Sequence, residues 1–158
     1  EHDIENVIVK NAIDKNKSIA LAESCTGGLI GDRITNTDGS SKVFKGSMVV
    51  YSNKAKIKLL GVNNSTIDSY GAVSKEVARE MAYKVRKIFS TDYGLSVTGV
   101  AGPGGGTENK PVGLVYIGLS NENKTEVRRF NFSSDRKKNK LKTSQVALDW
   151  LRLILIDE

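Results

Sequence analysis

The residues best suited to chemistry lie between Ala22 and Gly28, where a short apolar run gives way to small polar and acidic side chains. This stretch holds a carboxylate, two hydroxyls, a thiol and two glycines, in the order Glu23, Ser24, Cys25, Thr26, Gly27, Gly28. The pattern is typical of a strand that turns sharply into a helix. Unpaired backbone N–H groups and the helix dipole attract anions at such a turn. The hydroxyls are therefore placed to bind a phosphate or to take part in catalysis, although a simple packing turn gives the same pattern.

The residue inventory excludes several kinds of site. The sequence has one histidine, His2, and one cysteine, Cys25. A Ser-His-Asp or Cys-His site is disfavoured because the only imidazole lies near a chain end, and no base is evident for Cys25, which we interpret as a packing residue. A structural zinc site lacks ligands. A Walker A lysine and the glycine spacing of a dinucleotide fingerprint are also missing.

A second group of residues could supply nucleophilic chemistry without histidine. Gly39-Ser40-Ser41 offers a hydroxyl, and Lys56 follows the predicted helix cap Ser52 by about one turn. A serine can use a lysine as its base when desolvation or a neighbouring cation lowers the lysine pKa. Lys56 can point back toward the strand ends, whereas Lys54 and Lys58 lie on other sides of that helix. A turn and a helix cap explain the same residues locally.

A glycine-rich loop follows the strand that ends near Thr98, with five glycines in the eight residues from Gly99 to Gly106. Glycines at a strand end allow backbone N–H groups to approach a ligand closely, although a mobile surface loop has a similar composition. Further along, Arg136 begins a basic run and could clamp a phosphate bidentately. The lysines after it are typical of a solvated helix face.

The elements that must position these residues follow from hydrophobic periodicity. It predicts strands at 18–23, 46–51, 93–98, 112–119 and 126–132, and helices at 4–12, 27–34, 52–60, 65–70, 74–89 and 135–156. Helices alternate with the early strands, and the last two strands form a hairpin. This order predicts an α/β sandwich around a mostly parallel sheet with one antiparallel strand. Ligands in such sheets bind beyond the carboxyl ends of the strands.

Composition sets the broad class. The chain has 158 residues, 39% hydrophobic and 27% charged, which predicts a single domain over residues 1–158, although the missing initiator Met leaves open excision from a longer chain. No apolar run approaches the roughly 20 residues of a membrane helix. One cysteine and no internal disulfide fit a cytoplasmic protein. The net charge of +6 suits a phosphorylated small molecule or nucleic acid. Sheet edges and the apolar tail 151–156 favour a homo-oligomer.

Taken together, several spaced motifs resemble one known family. They are 22–28, 39–41, 51–56, 71–74, 98–103, 110–113 and Asp135-Arg136, and they occur in the same order in the CinA C-terminal-domain family. Its members include the nicotinamide-nucleotide amidases, or PncC proteins. The resemblance covers nearly the whole chain. It implies a three-layer α/β/α sandwich around a mixed, mostly parallel five-stranded sheet.

The resemblance also implies a reaction and a site. The reaction is hydrolysis of the carboxamide of nicotinamide mononucleotide to nicotinic acid mononucleotide and ammonia, with no metal or cofactor. Carried onto this chain, Ser41 is the nucleophile, Lys56 the base and Tyr51 an aid to proton transfer. Ser24 belongs to the oxyanion or substrate side, and Ser24 and Ser41 can exchange roles. The implied substrate-binding residues are Glu23, Thr26, Gly27, Thr98, Gly99, Gly102 and Arg136, with Arg136 on the phosphate.

Two other classes of function compete with this reading. The same pocket could bind a nucleotide without turning it over, as in a non-catalytic nucleotide-binding or interaction domain of a CinA-like protein. A nucleic-acid module is suggested by charge and by the basic run 136–142. The chain lacks the aromatic stacking motifs of single-strand binders, so nucleic acid is disfavoured as a partner.

Overall fold

The computed structural model describes residues 3–158. In chain order the elements are α1 (Ile4–Asp14), β1 (Ile19–Glu23), α2 (Leu29–Thr35), a 3₁₀ turn (Ser40–Lys42), β2 (Phe44–Val49), α3 (Asn53–Lys58), α4 (Asn64–Tyr70), α5 (Lys75–Phe89), β3 (Tyr93–Gly99), β4 (Leu114–Ser120), β5 (Thr125–Asn131) and α6 (Arg136–Asp157). Every predicted element is present, with ends that differ by up to two residues. The largest shift is in β2, which begins and ends two residues earlier than predicted.

The five strands form one sheet in the order β2-β1-β3-β4-β5. β1 pairs in parallel with both β2 and β3, whereas β4 is antiparallel to β3 and to β5. Four strands therefore share one direction and β4 alone opposes them. This confirms the predicted fold class, a mixed and mostly parallel sheet with a late hairpin.

Alternate residues of the strands face two separate cores. On one side, Ile19 and Leu21 of β1 pack in a cluster with buried residues of α1, α2 and α6. On the other side, Ala20 and Ala22 pack with α4 and α5. Because successive strand side chains point to opposite faces, the all-buried pattern of β1 requires helices on both sides. The result is the three-layer α/β/α sandwich.

Helix α5 packs its backbone directly against two strand positions that carry no side chain. A Cβ at Gly94 of β3 would lie 2.3 Å from the carbonyl oxygen of Ala82, and one at Gly118 of β4 would lie 2.6 Å from that of Ala78. The helix begins at Ser74, as predicted, and the Ser74 hydroxyl accepts a hydrogen bond from the N–H of Val77 at 3.2 Å. This packing fixes β3 beneath α5 and so places the loop that follows β3.

The parallel register brings three loops to one edge of the sheet. Glu23, the last residue of β1, lies opposite Val49 of β2 and Val97 of β3. The chain leaves all three strands at this edge. After this edge the chain continues as α2 following β1, as α3 following β2, and as the glycine-rich loop following β3. None of the helices within residues 3–158 combines the length and apolar character needed to cross a bilayer.

Candidate active site

A cavity of about 280 Å³ opens at the carboxyl ends of β1, β2 and β3. Its wall comes from the loops after the three strands, from the segment before α5 and from the start of α6. The lining residues are Ser24, Cys25, Tyr51, Asn53, Lys56, Ala72, Val73, Thr98, Gly99, Val100, Ala101, Gly102, Gly104, Gly105 and Arg136. The volume is close to the lower end of small-molecule sites, about 300 Å³.

Ser24 and Lys56 meet at the base of this cavity. The Nζ atom of Lys56 lies 2.9 Å from Oγ of Ser24, and it also donates a hydrogen bond to the carbonyl oxygen of Tyr51 at 3.0 Å. Lys56 is buried because α3 begins immediately after β2, with the Ser52 hydroxyl accepting the N–H of Ala55 as its cap. That start directs the fourth helical residue inward, as the sequence predicts, while Lys54 and Lys58 stay exposed.

The environment of Lys56 suits a general base. Burial lowers the pKa of its ammonium group from 10.5 to about 8, because the charged form is poorly solvated there, and the electrostatic influence of Cys25 raises it slightly in return. About a tenth of the lysine is then neutral at pH 7, compared with roughly one part in three thousand for an ordinary lysine. A neutral amine can accept the Ser24 proton while one of its own N–H bonds is held by the Tyr51 carbonyl.

Cys25 lies beside this pair but lacks the properties of a nucleophile. Burial raises the pKa of its thiol to about 12. This effect of burial outweighs its own backbone N–H and the Lys56 charge, which both lower the pKa. A thiol with that pKa is almost never ionised at neutral pH, and only the thiolate attacks. The structure therefore supports the interpretation of Cys25 as a packing residue.

The structure corrects the predicted role of Glu23 in substrate binding. Its carboxylate is fully buried and accepts four hydrogen bonds, from the Thr26 hydroxyl at 2.7 Å, the Ser47 hydroxyl at 2.9 Å, and the N–H groups of Ile30 and Gly31 at 2.9 and 3.0 Å. The anion favoured by the start of α2 is thus the protein's own side chain. Glu23 and its partner Thr26 hold β1, β2 and α2 together and do not line the cavity.

Gly27 also lies outside the cavity wall. It is exposed, with φ +62°, in the turn between Thr26 and α2, and a Cβ there would lie 3.9 Å from Nζ of Lys140. The glycine allows the left-handed turn that directs the chain into α2. Its predicted contact with substrate is not supported by this position.

Ser41 does not lie in the cavity. It is exposed in the 3₁₀ turn that precedes β2, and the first residue of β2, Phe44, pairs with Ile19 at the start of β1. Ser41 is therefore at the amino ends of the parallel strands, whereas Ser24 follows the carboxyl end of β1. Five strand residues separate those ends by roughly 16 Å. The predicted pairing of Ser41 with Lys56 is wrong on this geometry, and Ser24 is the serine that contacts the lysine.

Tyr51 and Arg136 form the mouth of the cavity. Nη2 of Arg136 donates to the Tyr51 hydroxyl at 2.8 Å, and Nη1 donates to the carbonyl oxygen of Gly102 at 2.6 Å. The Tyr51 hydroxyl bonds to Arg136, whereas the hydrogen bonds from Lys56 and Ser24 go to the Tyr51 backbone carbonyl. The predicted aid of the Tyr51 hydroxyl to proton transfer is not supported. Arg136 lines the cavity, and its contact with a substrate phosphate stays a prediction. It follows Asp135, which caps α6 by accepting the N–H of Lys138.

The residues at the end of β3 line the cavity in the predicted place. The Thr98 hydroxyl is buried and donates to the carbonyl oxygen of Ala72 at 2.9 Å. A Cβ at Gly99 would lie 2.8 Å from the carbonyl oxygen of Leu114, so the backbone there accepts only glycine. The wall residues Asn53, Ala72 and Val73 carried no predicted role, although 71–74 is one of the motifs that carry the family resemblance.

No group of three or more His, Cys, Asp or Glu side chains within residues 3–158 is arranged to hold a metal ion. His2, the only histidine, lies outside the described residues. The polar side chains that line the cavity include those of Ser24, Lys56 and Arg136.

Comparison with known proteins agrees with the fold and with the motifs. The chain matches the family model of the CinA C-terminal domain over residues 1–155. It is 50% identical over 149 residues to a protein of Clostridium perfringens named competence-damage inducible protein, a match that covers 94% of this chain and 36% of the relative. It is 54% identical over 144 residues to a CinA-like protein of Endomicrobium trichonymphae, covering 91% and 34%.

A solved structure shares the fold of this chain. The crystal structure of competence/damage inducible protein CihA from Agrobacterium tumefaciens superimposes with a TM-score of 0.92 at 35% identity, covering 98% of this chain and 96% of that one. The chain spans about a third of the length of the curated relatives it matches. On the family match, the sequence identity and the shared fold, this chain belongs to the CinA C-terminal domain family.

Proposed function

We propose that this domain is an amidohydrolase in which Ser24 is the nucleophile and Lys56 the general base. The observation that carries the proposal is the 2.9 Å contact between a buried lysine nitrogen and a buried serine oxygen at the base of an open cavity. Structural lysines are seldom buried without a carboxylate partner. A lowered lysine pKa beside a hydroxyl is the arrangement that nucleophilic catalysis without histidine requires.

The chemistry proceeds in two stages. Neutral Lys56 takes the proton of the Ser24 hydroxyl as Oγ attacks the carboxamide carbon. The resulting ammonium then gives that proton to the leaving nitrogen, so that the C–N bond breaks and ammonia departs from an acyl-serine. Water, deprotonated by Lys56 in the second stage, cleaves the ester to the carboxylic acid and restores Ser24. The net change is amide plus water to acid plus ammonia.

A donor for the developing oxyanion is supplied by the residue after the nucleophile. The backbone N–H of Cys25 donates to no oxygen in the described part of the chain, and Cys25 lines the cavity. An N–H in this position commonly stabilises the tetrahedral intermediate, because it is fixed before the charge develops. Losing one such donor typically lowers kcat by about 10²–10³-fold.

The substrate we propose is nicotinamide mononucleotide, on the family resemblance and on the charge of the site. Arg136 at the mouth and the net charge of +6 suit a phosphate-bearing ligand. The proposed product is nicotinic acid mononucleotide.

Ammonia release from nicotinamide mononucleotide tests the proposal. We expect turnover by the wild-type chain, a loss of at least about 10³-fold in Ser24→Ala, and near-normal turnover in Ser41→Ala, the matched control outside the cavity. Circular dichroism and thermal melting establish that each variant is folded. Absence of ammonia from folded wild-type protein, or undiminished turnover in Ser24→Ala, would overturn the assignment. Saturable binding of the nucleotide without turnover would instead support a nucleotide-binding domain.

A further inference from the structure

The lysine at the base of the cavity has no anion to balance its charge. Lys56 is 1% exposed, and within residues 3–158 it forms no ion pair. No Asp or Glu side chain of this part of the chain lines the cavity. Glu23, next to Ser24 in the sequence, is already saturated by four hydrogen bonds from other groups. A buried ammonium group without a counter-charge is costly, so protonated Lys56 favours an anion that can reach it.

Protonation of Lys56 changes what the Ser24–Lys56 pair offers to a ligand. An ammonium group has three N–H donors. Two of them are used by Oγ of Ser24 and by the Tyr51 carbonyl, at 2.9 and 3.0 Å, and one remains. Because Lys56 then donates to Ser24, the serine keeps its own hydrogen, and the Tyr51 carbonyl at 3.5 Å is too far to hold it firmly. The protonated pair therefore offers a ligand two donors and a positive charge.

A third donor follows Ser24 directly in the chain. The backbone N–H of Cys25 donates to no acceptor among residues 3–158, and Cys25 lines the same cavity. A carboxylate has two oxygens that only accept hydrogen bonds, so one can take the Cys25 N–H while the other takes the Lys56 ammonium. A carboxamide matches this set of donors less well, because its own NH₂ group is a donor.

The other titratable and charged groups around this pair leave the balance of charge positive. The turn after β1 contributes the thiol of Cys25, which burial keeps neutral. The segment after β2 contributes the phenol of Tyr51, which bonds to Arg136 of α6 at the mouth. Helices α3 and α6 add further cations, which are Lys54, Lys58 and Lys140. The loop after β3 and the segment before α5 add no titratable side chain to the cavity wall.

We propose that the base of the cavity binds carboxylates, with protonated Lys56, the Ser24 hydroxyl and the Cys25 N–H as donors. The acid product of the reaction then binds more tightly than its amide substrate and inhibits the enzyme. This inference rests on the proposed function for the identity of the product. It gives Lys56 two states with different ligands. The neutral amine takes the serine proton and starts the reaction of the amide, whereas the ammonium form retains the acid.

The inhibition depends on pH because only one form of the lysine favours the acid. Burial lowers the pKa of Lys56 to about 8 in the free protein. A bound carboxylate raises that pKa again, so binding of the acid above pH 8 takes up protons from solution. The affinity for the acid, relative to the amide, should therefore be greatest near pH 7 and fall as the pH rises. The phosphate is common to both ligands, and its second pKa of about 6 lies below this range.

Calorimetric binding to Ser24→Ala protein tests the carboxylate site. The ligands are nicotinic acid mononucleotide and nicotinamide mononucleotide, which differ only in the acid or amide group. We expect the acid to bind at least about tenfold more tightly at pH 7, and this ratio to fall by about tenfold by pH 10. Equal affinities at pH 7, or a ratio that rises with pH, would overturn the site. If Ser24→Ala hydrolyses the amide, the affinity of wild type for the acid, measured against pH, decides instead.

Lys56→Met tests the role of the ammonium group, and Lys54→Met, at an exposed position of the same helix, is the matched control. At pH 7 we expect Lys56→Met to bind the acid at least about tenfold more weakly than wild type, and Lys54→Met to bind it within about twofold. Equal affinity of the two variants for the acid would exclude Lys56. Circular dichroism and thermal melting establish that each variant is folded.

Proton uptake by the wild-type chain decides the matter if Lys56→Met does not fold. Calorimetry in two buffers of different ionisation enthalpy measures the protons that are bound together with nicotinic acid mononucleotide. At pH 8.5 we expect a net uptake of about half a proton for each ligand bound. No uptake, or a release of protons, would overturn the proposal.

The outcomes separate this inference from the amidase proposal. In an active enzyme, nicotinic acid mononucleotide should inhibit ammonia release competitively, and most strongly near pH 7. Ammonia release by wild type together with equal binding of the acid and the amide would retain the amidase and reject the carboxylate site. Tighter, pH-dependent binding of the acid to a wild-type chain that releases no ammonia would retain the carboxylate site and reject the amidase.

Discussion

The Nζ atom of Lys56 lies 2.9 Å from the Oγ atom of Ser24, across 32 residues of sequence. The register of two parallel strands produces this contact. Ser24 follows β1 directly, Lys56 lies in the first turns of the helix after β2, and the last residues of these strands, Glu23 and Val49, are paired. Neighbouring parallel strands that end together necessarily bring their following residues together.

The pH dependence of the proposed reaction follows from Lys56. Its neutral form is required, and burial lowers its pKa to about 8. We expect kcat/KM for nicotinamide mononucleotide to rise about tenfold per pH unit below pH 8 and to level off above it. Steady-state assays between pH 5.5 and 9.5, with circular dichroism at each pH, measure the profile. A flat profile through pH 8, or one that falls above pH 7, would exclude Lys56 as the base.

The same lysine makes folding stability depend on pH. The folded state binds the Lys56 proton more weakly than the unfolded chain, so the unfolded state holds more protons between pH 8 and 10.5. The free energy of unfolding therefore rises with pH across that window, by up to about 3 kcal/mol. Below pH 8 the cost of burying the Lys56 ammonium is present in full, so the folded state is least stabilised there.

Lys56→Met isolates this effect because methionine does not titrate. We expect the stability of wild type relative to Lys56→Met to increase by up to about 3 kcal/mol between pH 7 and 10.5, as measured by urea denaturation. Lys54→Met, at an exposed position of the same helix, is the control and should show a nearly constant difference. If the free energy of unfolding of wild type, relative to that of Lys56→Met, falls as the pH rises, the assigned direction of the pKa shift is wrong.

Glu23→Gln tests the structural role of the buried carboxylate. Each Glu23 oxygen accepts two hydrogen bonds, so an amide NH₂ at either position would face donors. We expect a loss of about 2–3 kcal/mol in the free energy of unfolding. Glu126→Gln, on the exposed face of β5, should change it by less than about 0.5 kcal/mol. Unchanged stability in Glu23→Gln would show that the carboxylate does not organise this turn.

Cys25→Ala distinguishes the two candidate nucleophiles of the turn after β1. Because burial keeps Cys25 as a thiol, we expect the variant to retain ammonia release within about tenfold of wild type, whereas Ser24→Ala does not. We also expect iodoacetamide to label the folded wild-type chain far more slowly than the urea-unfolded chain. Loss of turnover in Cys25→Ala equal to that in Ser24→Ala would point to the thiol.

Much of the fold could be predicted because local rules and tertiary packing agree here. The signals that neighbouring residues carry by themselves are the continuous apolar run of β1, the cap at Ser74 and the glycines that end helices. The predicted sheet followed from the order of these elements. The site was predicted in part, since Lys56, Thr98 and Arg136 do line one cavity.

The errors in the site share a physical origin. Glu23 was predicted to bind substrate because a carboxylate at a strand end needs a partner. The sequence does not show that Thr26, Ser47 and the start of α2 together provide four donors. Ser41 lies in a serine-containing turn, but the direction of β2 places it at the far end of the sheet. In the sequence, Asn139 is one polar residue within a basic run. Only the packing of α6 against the loop after β3 buries its amide and lets it donate to the Ala101 carbonyl.

The sequence by itself determined which elements form, which family the chain resembles, and which kinds of chemistry lack the residues they need. Its hydrophobic periodicity indicates the elements, its spaced motifs carry the resemblance, and its single histidine and single cysteine disfavour several kinds of site. The tertiary structure alone decided that Lys56 meets Ser24 and that the carbonyls of the glycine-rich loop face the scaffold. Those contacts depend on strand order, register and helix docking, which arise from interactions between residues far apart in the chain.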